Sequence, residues 1–307
     1  MLPRGRVVFE QVNRVRRRAE QVSDQVVTKA IRGIRSGGLH VSFDGNPRFA
    51  LLTVNYSTTR YLKLMLLSLL GQEDLNRLQT VVICDNNSRD GGISFLRKLS
   101  QRARRVVLVE NRWWANHARG MRAAIRALDR MNKDNPCTQM ANILLACDPD
   151  VLFLRDDTLL ALAQLFADGS VSFAGQLRRG LFPMPEAQAS FLAVRRDWAA
   201  RKDVSAWVNH GSPAYWMQRD IWSLGGLGAD FRSNEDGYIL HRGRSAVAAA
   251  GEYAPWSSYA TTTNRIPHFM GVPRGSEIWS AHEEKFSKWL EIDAEPELLQ
   301  LLSRGLG

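Results

Sequence analysis

Residues 48–72 read RFALLTVNYSTTRYLKLMLLSLLGQ and decide the fold class. The first nine residues form the apolar run that is typical of a buried strand. The residues that follow favour a helix N-terminus, and Leu62, Leu66 and Leu69 then recur on one helical face until Gly71 ends the helix. A buried strand that leads directly into an amphipathic helix is the repeating unit of parallel α/β sheets.

The same alternation of strand and helix continues to about residue 177. Further strands are predicted at TVVIC, RRVVLVE, NILLAC and VSFAGQL, and further helices at ISFLRKLSQ, NHARGMRAAIRALDRM and near 157–167. This order predicts an α/β fold, with a mostly parallel, Rossmann-like sheet and helices on both faces. In such sheets ligands bind beyond the carboxyl ends of the strands.

The second half is less regular. YWMQRDIWSLGGLGADF has a strand-like start and a glycine-rich turn, NEDGYILHRGRSAVAAAG is predicted to form one capped helix, and residues 276–293 a terminal helix. The predicted division is a basic helix with its linker (1–46), a central domain with two halves (47–177 and 178–275) and a C-terminal helical segment (276–307).

The charge of the chain is concentrated at its start. The net charge is +10, and residues 1–35 hold nine Arg or Lys against three acids, so +6 of it lies there. The remainder is only mildly basic, which argues against a nucleic-acid partner. Residues 6–35 predict an amphipathic helix whose Val and Ala stripe either packs on protein or lies on anionic lipid. The sequence shows neither a signal peptide nor a membrane-spanning stretch, so we expect a cytoplasmic protein, peripheral on the inner face of the membrane in the lipid case.

The three cysteines are Cys84, Cys137 and Cys147. Their odd number and wide spacing argue against a disulfide framework or a zinc site. Cys84 and Cys147 fall in strand-like apolar runs, so we expect them to be small buried hydrophobic residues.

Short polar residues follow each strand of the first half, and Asp148 and Asp150 follow the fourth. Residues i and i+2 of an extended segment point to the same side, so these two carboxylates would face one point. Two carboxylates suit a hard cation such as Mg²⁺ or Mn²⁺, which leaves positions for phosphate oxygens. The alternative is an acidic turn shaped by Pro149. No glycine-rich phosphate loop follows a strand, so a nucleotide would need another means of charge neutralisation.

Five blocks together resemble family 2 inverting glycosyltransferases with the GT-A fold. In order they are LLTVNYSTTRYLKLMLLSLLGQ, VVICDNNSRDGG, ENRWWANHARGMRAAI, LLACDPDVLF and NEDGYILHRG, and they cover residues 48–245. The resemblance implies a nucleotide-diphosphate-sugar donor, Mn²⁺ or Mg²⁺, and sugar transfer to a hydroxyl acceptor with inversion at the anomeric carbon.

On the donor side, the resemblance implies a role for five residues. Tyr56 would stack on the base, and Asp85 would hydrogen-bond the base or the ribose together with Asn86. Asp148 would lie near the ribose or the sugar and also ligate the metal, for which Asp150 would be the main ligand.

On the acceptor side, the resemblance makes Asp236 the general base, with Glu235 beside it. His268 would be a third metal ligand, although a single histidine is more often structural. His210 and Trp216 would line the acceptor pocket. Asn234, Glu235 and Asp236 also fit a helix start, where acids favour the positive end of the dipole.

The chain departs from the family at Arg112–Trp114, where relatives often carry small residues, so the donor sugar is left open. The acceptor is expected to be a glycan or glycolipid of cell-surface polysaccharide or lipopolysaccharide synthesis. The competing interpretations are a sugar nucleotidyltransferase, a non-catalytic nucleotide-sugar-binding protein and a membrane-surface scaffold.

Overall fold

The computed structural model describes residues 41–112, 116–134, 140–208, 212–256 and 265–307. Its centre is a seven-stranded sheet in the order β3-β2-β1-β4-β7-β6-β8. The first four strands in this order are mutually parallel, β7 is antiparallel to both of its neighbours, and β8 is parallel to β6. The α/β class and the mostly parallel sheet predicted from the sequence are therefore confirmed.

The elements follow one another along the chain with short connections. The strands are β1 Phe49–Asn55, β2 Leu78–Asp85, β3 Val106–Glu110, β4 Ile143–Cys147, β5 Val151–Phe153, β6 Val171–Arg178, β7 Glu186–Arg195, β8 Leu227–Asp230 and β9 Ile239–His241. The helices are α1 Thr59–Leu69, α2 Ile93–Arg102, α3 His117–Asp134, α4 Thr158–Phe166, α5 Arg196–Ala199, α6 Tyr215–Ser223, α7 Ser245–Tyr253, α8 Gly275–Lys285, α9 Ser287–Leu290 and α10 Glu295–Gly305. Outside the main sheet, β5 and β9 form a separate two-stranded antiparallel ribbon.

The strand β1 feeds two hydrophobic cores, because successive side chains of a strand point to opposite faces. Phe49 and Leu51 pack in one core with residues of α1, α2, α4 and α10. Ala50, Leu52 and Val54 pack in the other with residues of α3 and α6. Helices therefore cover both faces of the sheet, as the unbroken apolar strand run predicts.

Three predictions in the second half are wrong. The segment starting at Tyr215 is the helix α6, where a strand-like start was predicted. The segment 234–251 is a turn, the strand β9 and only then α7, where one capped helix was predicted. The terminal helix of 276–293 is interrupted at Phe286 and ends at Leu290.

The predicted basic helix of residues 6–35 lies outside the described residues, and so does His210. The division into domains stays a prediction. Within the described ranges, no helix has the length and apolar character that crossing a membrane requires.

Candidate functional site

The carboxyl ends of the parallel strands form one polar edge. Asn55, at the end of β1, lies in register with Asp85 of β2, which in turn lies in register with Glu110 of β3. On the other side of β1, the chain leaves β4 at Cys147 and continues with Asp148. The polar residues that follow each strand are thus neighbours in space.

Asp148, Asp150 and His241 form a compact triad at this edge. The amide of Asp148 donates to the carbonyl of Ser190 on β7, which fixes the point where the chain leaves the sheet. The ribbon then places His241 opposite Val151 in antiparallel register. One potential ligand atom from each of the three residues lies within 4.8 Å of the other two.

The distances within the triad show that the histidine faces both carboxylates. His241 Nε2 lies 3.3 Å from Asp150 Oδ1 and 3.6 Å from Asp148 Oδ2. Asp150 and His241 are buried, whereas the side chain of Asp148 keeps 30% of its exposure and is the open side of the triad. His117, the first residue of α3, lies 3.6 Å from the other oxygen of Asp148.

The surroundings of Asp150 hold it in the ionised form. Burial alone would raise its pKa, but the charge and hydrogen bond of His241 outweigh burial. The amide of Ser245, at the start of α7, also donates to Asp150 Oδ2 at 3.3 Å. Together these contacts lower the pKa of Asp150 to about 2.

His241 is biased toward its protonated form for the same reason. Burial opposes the charge, but Asp150 and then Asp148 outweigh it and raise the pKa of His241 above its usual value. Its Nδ1 is buried and has no hydrogen-bond partner among the residues that the structure describes. A cation ligand role therefore requires that the cation replace the proton of this imidazole between the two carboxylates.

His268, the predicted third ligand, lies beside the triad. Its ring packs edge-on against the ring of His241, with 5.8 Å between the centroids. Its Nδ1 accepts a hydrogen bond from the amide of Met270, and the ring covers Gly243, where a Cβ would lie 2.4 Å from Nε2. Burial, followed by the charges of His241 and Arg244, lowers the pKa of His268. A ligand role for His268 stays a prediction.

Glu235 and Asp236 lie in a turn that leads into β9. Both side chains are about half exposed, at 52% and 46%. Arg232 contacts both carboxylates, at 2.8 Å for Glu235 and 3.8 Å for Asp236. Because this segment is a turn, the helix-start alternative for these acids is wrong, and their availability to a ligand is compatible with the predicted base role.

The predicted nucleoside contacts lie at the ends of β1 and β2. Asp85 accepts hydrogen bonds from Asn55 Nδ2 at 2.9 Å and from the hydroxyl and amide of Ser88 at 2.5 and 3.0 Å. Asn86 is likewise buried in contacts with neighbouring loops. Tyr56 is half-buried, and burial raises its pKa against the opposing effect of Arg89. Roles of these three residues toward a nucleotide stay predictions.

Trp216 lies on α6 in the half of the chain assigned to the acceptor. The guanidinium of Arg219 lies over its ring at 4.3 Å, and the ring of Tyr215 meets it edge-on at 5.4 Å. The structure thus shows packing of Trp216 with its neighbours, and its role toward an acceptor stays a prediction.

Sequence reasoning missed His241 and His117 as members of this site. Both lie inside the blocks that carry the family resemblance, but neither has a distinctive spacing to the two aspartates. His241 is brought to the triad by the pairing of β5 with β9. A strand of three residues is too short to show a recognisable strand pattern in the sequence, so this pairing could not be predicted.

No protein-family model and no curated protein matches the chain. Among solved structures, it is similar to the mannosyltransferase PcManGT from Pyrobaculum calidifontis in complex with GDP-Man and Mn²⁺, with a TM-score of 0.46 and 15% identity over 97% of this chain and 85% of that one. It is also similar to S. aureus TarS 1–349 in complex with UDP-GlcNAc, with a TM-score of 0.42 and 12% identity over 85% of this chain and 82% of that one. These are distant likenesses, and the functional argument below rests on the side chains of this chain.

Proposed function

We propose that this protein is a metal-dependent inverting glycosyltransferase of the GT-A type. It would transfer a sugar from a nucleotide-diphosphate-sugar to a hydroxyl acceptor. The observation that carries the proposal is the triad of Asp148, Asp150 and His241 at the carboxyl edge of a parallel sheet. This edge is where α/β sheets bind their ligands.

The triad fits Mn²⁺ or Mg²⁺. Two carboxylates and one imidazole offer hard oxygen ligands and one nitrogen ligand, a set that suits Mn²⁺ in particular. One potential ligand atom from each of the three residues lies within 4.8 Å of the other two, so one cation could contact all three. The chemistry such an ion supplies is neutralisation of the charge that develops on a leaving diphosphate.

We assign the remaining roles as the resemblance implies them. Asp236 would accept the proton of the acceptor hydroxyl, with Glu235 beside it, and the exposure of both carboxylates leaves them accessible to an acceptor. The acceptor oxygen would form a bond to the anomeric carbon as the bond from that carbon to the diphosphate breaks. The electron pair of the broken bond leaves with the diphosphate, and one displacement gives inversion. Tyr56 and Asp85 would contact the nucleoside.

The biological setting we propose is synthesis of a cell-surface glycan or glycolipid. A basic amphipathic segment in residues 1–35 would hold the enzyme on an anionic membrane surface next to such an acceptor. Deletion of residues 1–35 should then reduce sedimentation with phosphatidylglycerol vesicles and leave turnover of soluble substrates intact. Unchanged sedimentation would assign the segment to protein packing.

The decisive experiment is a thermal-shift panel of UDP-, GDP- and dTDP-sugars, each with and without Mn²⁺. We expect one nucleotide class to stabilise the protein only when Mn²⁺ is present, and Asp150→Ala to abolish both this stabilisation and nucleotide release. Stabilisation by nucleotide that is unaffected by Mn²⁺ and by Asp150→Ala would contradict the proposal.

A second variant separates the base from the metal site. Asp236→Asn should stop transfer while the joint stabilisation by nucleotide and Mn²⁺ stays near that of the wild type. An active Asp236→Asn enzyme would show that another group accepts the proton.

A further inference from the structure

Gln176 joins the turn that carries Glu235 to the central sheet. It lies on β6, and both ends of its amide are used. Oε1 accepts from the amide of Asn234 at 3.0 Å and from Asn234 Nδ2 at 3.3 Å. Nε2 donates to Glu235 Oε1 at 3.2 Å, while Arg232 holds the other oxygen of Glu235 at 2.8 Å.

Asn234 extends this connection to the triad. Its side chain is 4% exposed, and its Oδ1 accepts from the amide of His241 at 2.9 Å. The contact spans the turn and β9, so it fixes how the turn sits relative to the histidine. Gln176, Asn234 and the backbone of His241 thus form a continuous chain of hydrogen bonds between the exposed acids and the buried triad.

If Gln176 only stabilised the fold, its hydrogen bonds to Asn234 would be sufficient. Anchoring a turn to a sheet requires only the partly buried hydrogen bonds between Gln176 and Asn234. The additional bond from Gln176 to Glu235 orients an exposed carboxylate, and such a bond contributes little to stability in water. Its effect would be to restrict where the acids of the turn can point.

We propose that Gln176 and Asn234 are positioning residues that hold the Glu235–Asp236 turn at a fixed place relative to His241. The inference rests on the proposed function, since it assigns the base to this turn and a metal ligand to His241. Gln176 contacts Glu235 directly and reaches His241 only through Asn234, whereas Asn234 contacts the backbone of His241 directly. The two residues should therefore affect different measured quantities.

The first test compares Gln176→Ala and Asn234→Ala with Gln164→Ala, a control at an exposed position of α4. Turnover is measured as nucleotide release from UDP-glucose, UDP-N-acetylglucosamine, GDP-mannose and dTDP-glucose with Mn²⁺. Affinity for Mn²⁺ alone is measured by electron paramagnetic resonance titration without nucleotide. Gln176→Ala should lower kcat by about tenfold with KM and the Mn²⁺ Kd within twofold of the wild type. Asn234→Ala should lower kcat and also raise the Mn²⁺ Kd by about tenfold.

The second test is a conservative exchange. Gln176→Glu keeps an acceptor for Asn234 but places a carboxylate against Glu235, so kcat should fall. High salt screens the repulsion between these two carboxylates, so Gln176→Glu should regain part of the lost kcat at high ionic strength, whereas Gln176→Ala should not. Such a rescue is expected from positioning and is absent if the single variant merely disturbs folding.

The outcomes distinguish this inference from the proposed function. If the wild type binds Mn²⁺ but Asn234→Ala binds it equally well, or if Gln176→Ala keeps its kcat or acts mainly on KM, the positioning role is overturned and the proposed function stands. If the wild type does not bind Mn²⁺, both are overturned. If none of the four donors is turned over, the Mn²⁺ affinities of the wild type and Asn234→Ala still decide the link between Asn234 and His241.

Discussion

Replacing His241 with alanine tests which histidine completes the cation site. His241 Nε2 lies 3.3 and 3.6 Å from carboxylate oxygens of Asp150 and Asp148, whereas His268 meets the triad through a ring contact with His241. His268→Ala is therefore the matched control, since it removes a neighbouring imidazole but none of the three potential ligands of the triad. We expect His241→Ala to weaken Mn²⁺ binding by at least the roughly 10- to 100-fold that is lost with an outer-sphere partner.

The expected thermal effect follows from mass action. A ligand at about 100 times its Kd stabilises the native state by about 2.7 kcal/mol. A tenfold rise in Kd would reduce this to about 1.4 kcal/mol, and a hundredfold rise to about 0.4 kcal/mol. His268→Ala should lower the melting temperature in EDTA, because the ring packs over Gly243, yet keep the full increment on adding Mn²⁺.

The assay is differential scanning calorimetry of the wild type and both variants, in EDTA and in Mn²⁺ at 100 times the wild-type Kd. The Mn²⁺ increment is compared, so general destabilisation cancels. A full increment in His241→Ala together with a lost increment in His268→Ala would refute the assignment and restore the ligand that the sequence suggested. Equal increments in all three proteins would exclude both histidines.

Three further predictions concern acidity and packing. In EDTA, the stability due to the pairing of Asp150 with His241 should be lost as pH falls from about 4 toward 2, because the pKa of Asp150 is lowered to about 2. The same stability should also be lost as pH rises through the raised pKa of His241. Urea unfolding of the wild type and of His241→Ala across this pH range measures the effect, and parallel pH profiles of the two proteins would contradict it. Burial raises the pKa of Cys84 to about 12 and that of Cys147 well above its usual value. In a Cys137→Ser variant, both thiols should therefore react with Ellman's reagent at pH 8 roughly 1000-fold more slowly than a free thiol until the protein unfolds. Fast reaction of one thiol equivalent in the folded protein would be inconsistent with that burial. A Cβ at Gly120 would lie 2.7 and 2.9 Å from the two methyl groups of Val54. Gly120→Ala should therefore destabilise the protein, because overpacking costs about 1–3 kcal/mol whereas the gain in helix propensity is at most about 1 kcal/mol. A higher urea midpoint of Gly120→Ala than of the wild type would disprove the close approach.

The sequence predicts those strands well whose own residues form a continuous apolar run. Strands β1, β2 and β4 are buried almost throughout and contain continuous apolar runs, and the half-buried edge strand β3 keeps the apolar run VVLV. β7 was not predicted, although it lies between β4 and β6 in the sheet. Its sequence EAQASFLAVR carries Glu186, Gln188 and Ser190 at alternate positions, so its first half lacks the continuous apolar run of a buried strand.

The candidate site divides in the same way. Asp148 and Asp150 were predicted because two carboxylates two residues apart after a strand have a direct geometric meaning. His241 was not, because its position depends on the pairing of two three-residue strands, Val151–Phe153 and Ile239–His241. The helix predicted across this segment failed because a left-handed turn at Gly237, with a φ of +69°, leads the chain out of the turn and into β9.

The segment 232–245 would link proton transfer at the acids of the turn to cation binding at the triad. It supplies the exposed acids of the turn, then His241 in the triad, and then the amide of Ser245, which donates to Asp150 Oδ2 at 3.3 Å. The pairing of β9 with β5 holds this segment in the ribbon, and the hydrogen bonds with Gln176 attach it to the central sheet. A shift of β9 would therefore move His241, the acids and the contact to Asp150 together. A substitution that loosens the ribbon, such as one at buried Leu240, should for this reason impair cation binding and turnover at the same time. Substitutions of the exposed acids Glu235 and Asp236 should impair turnover only.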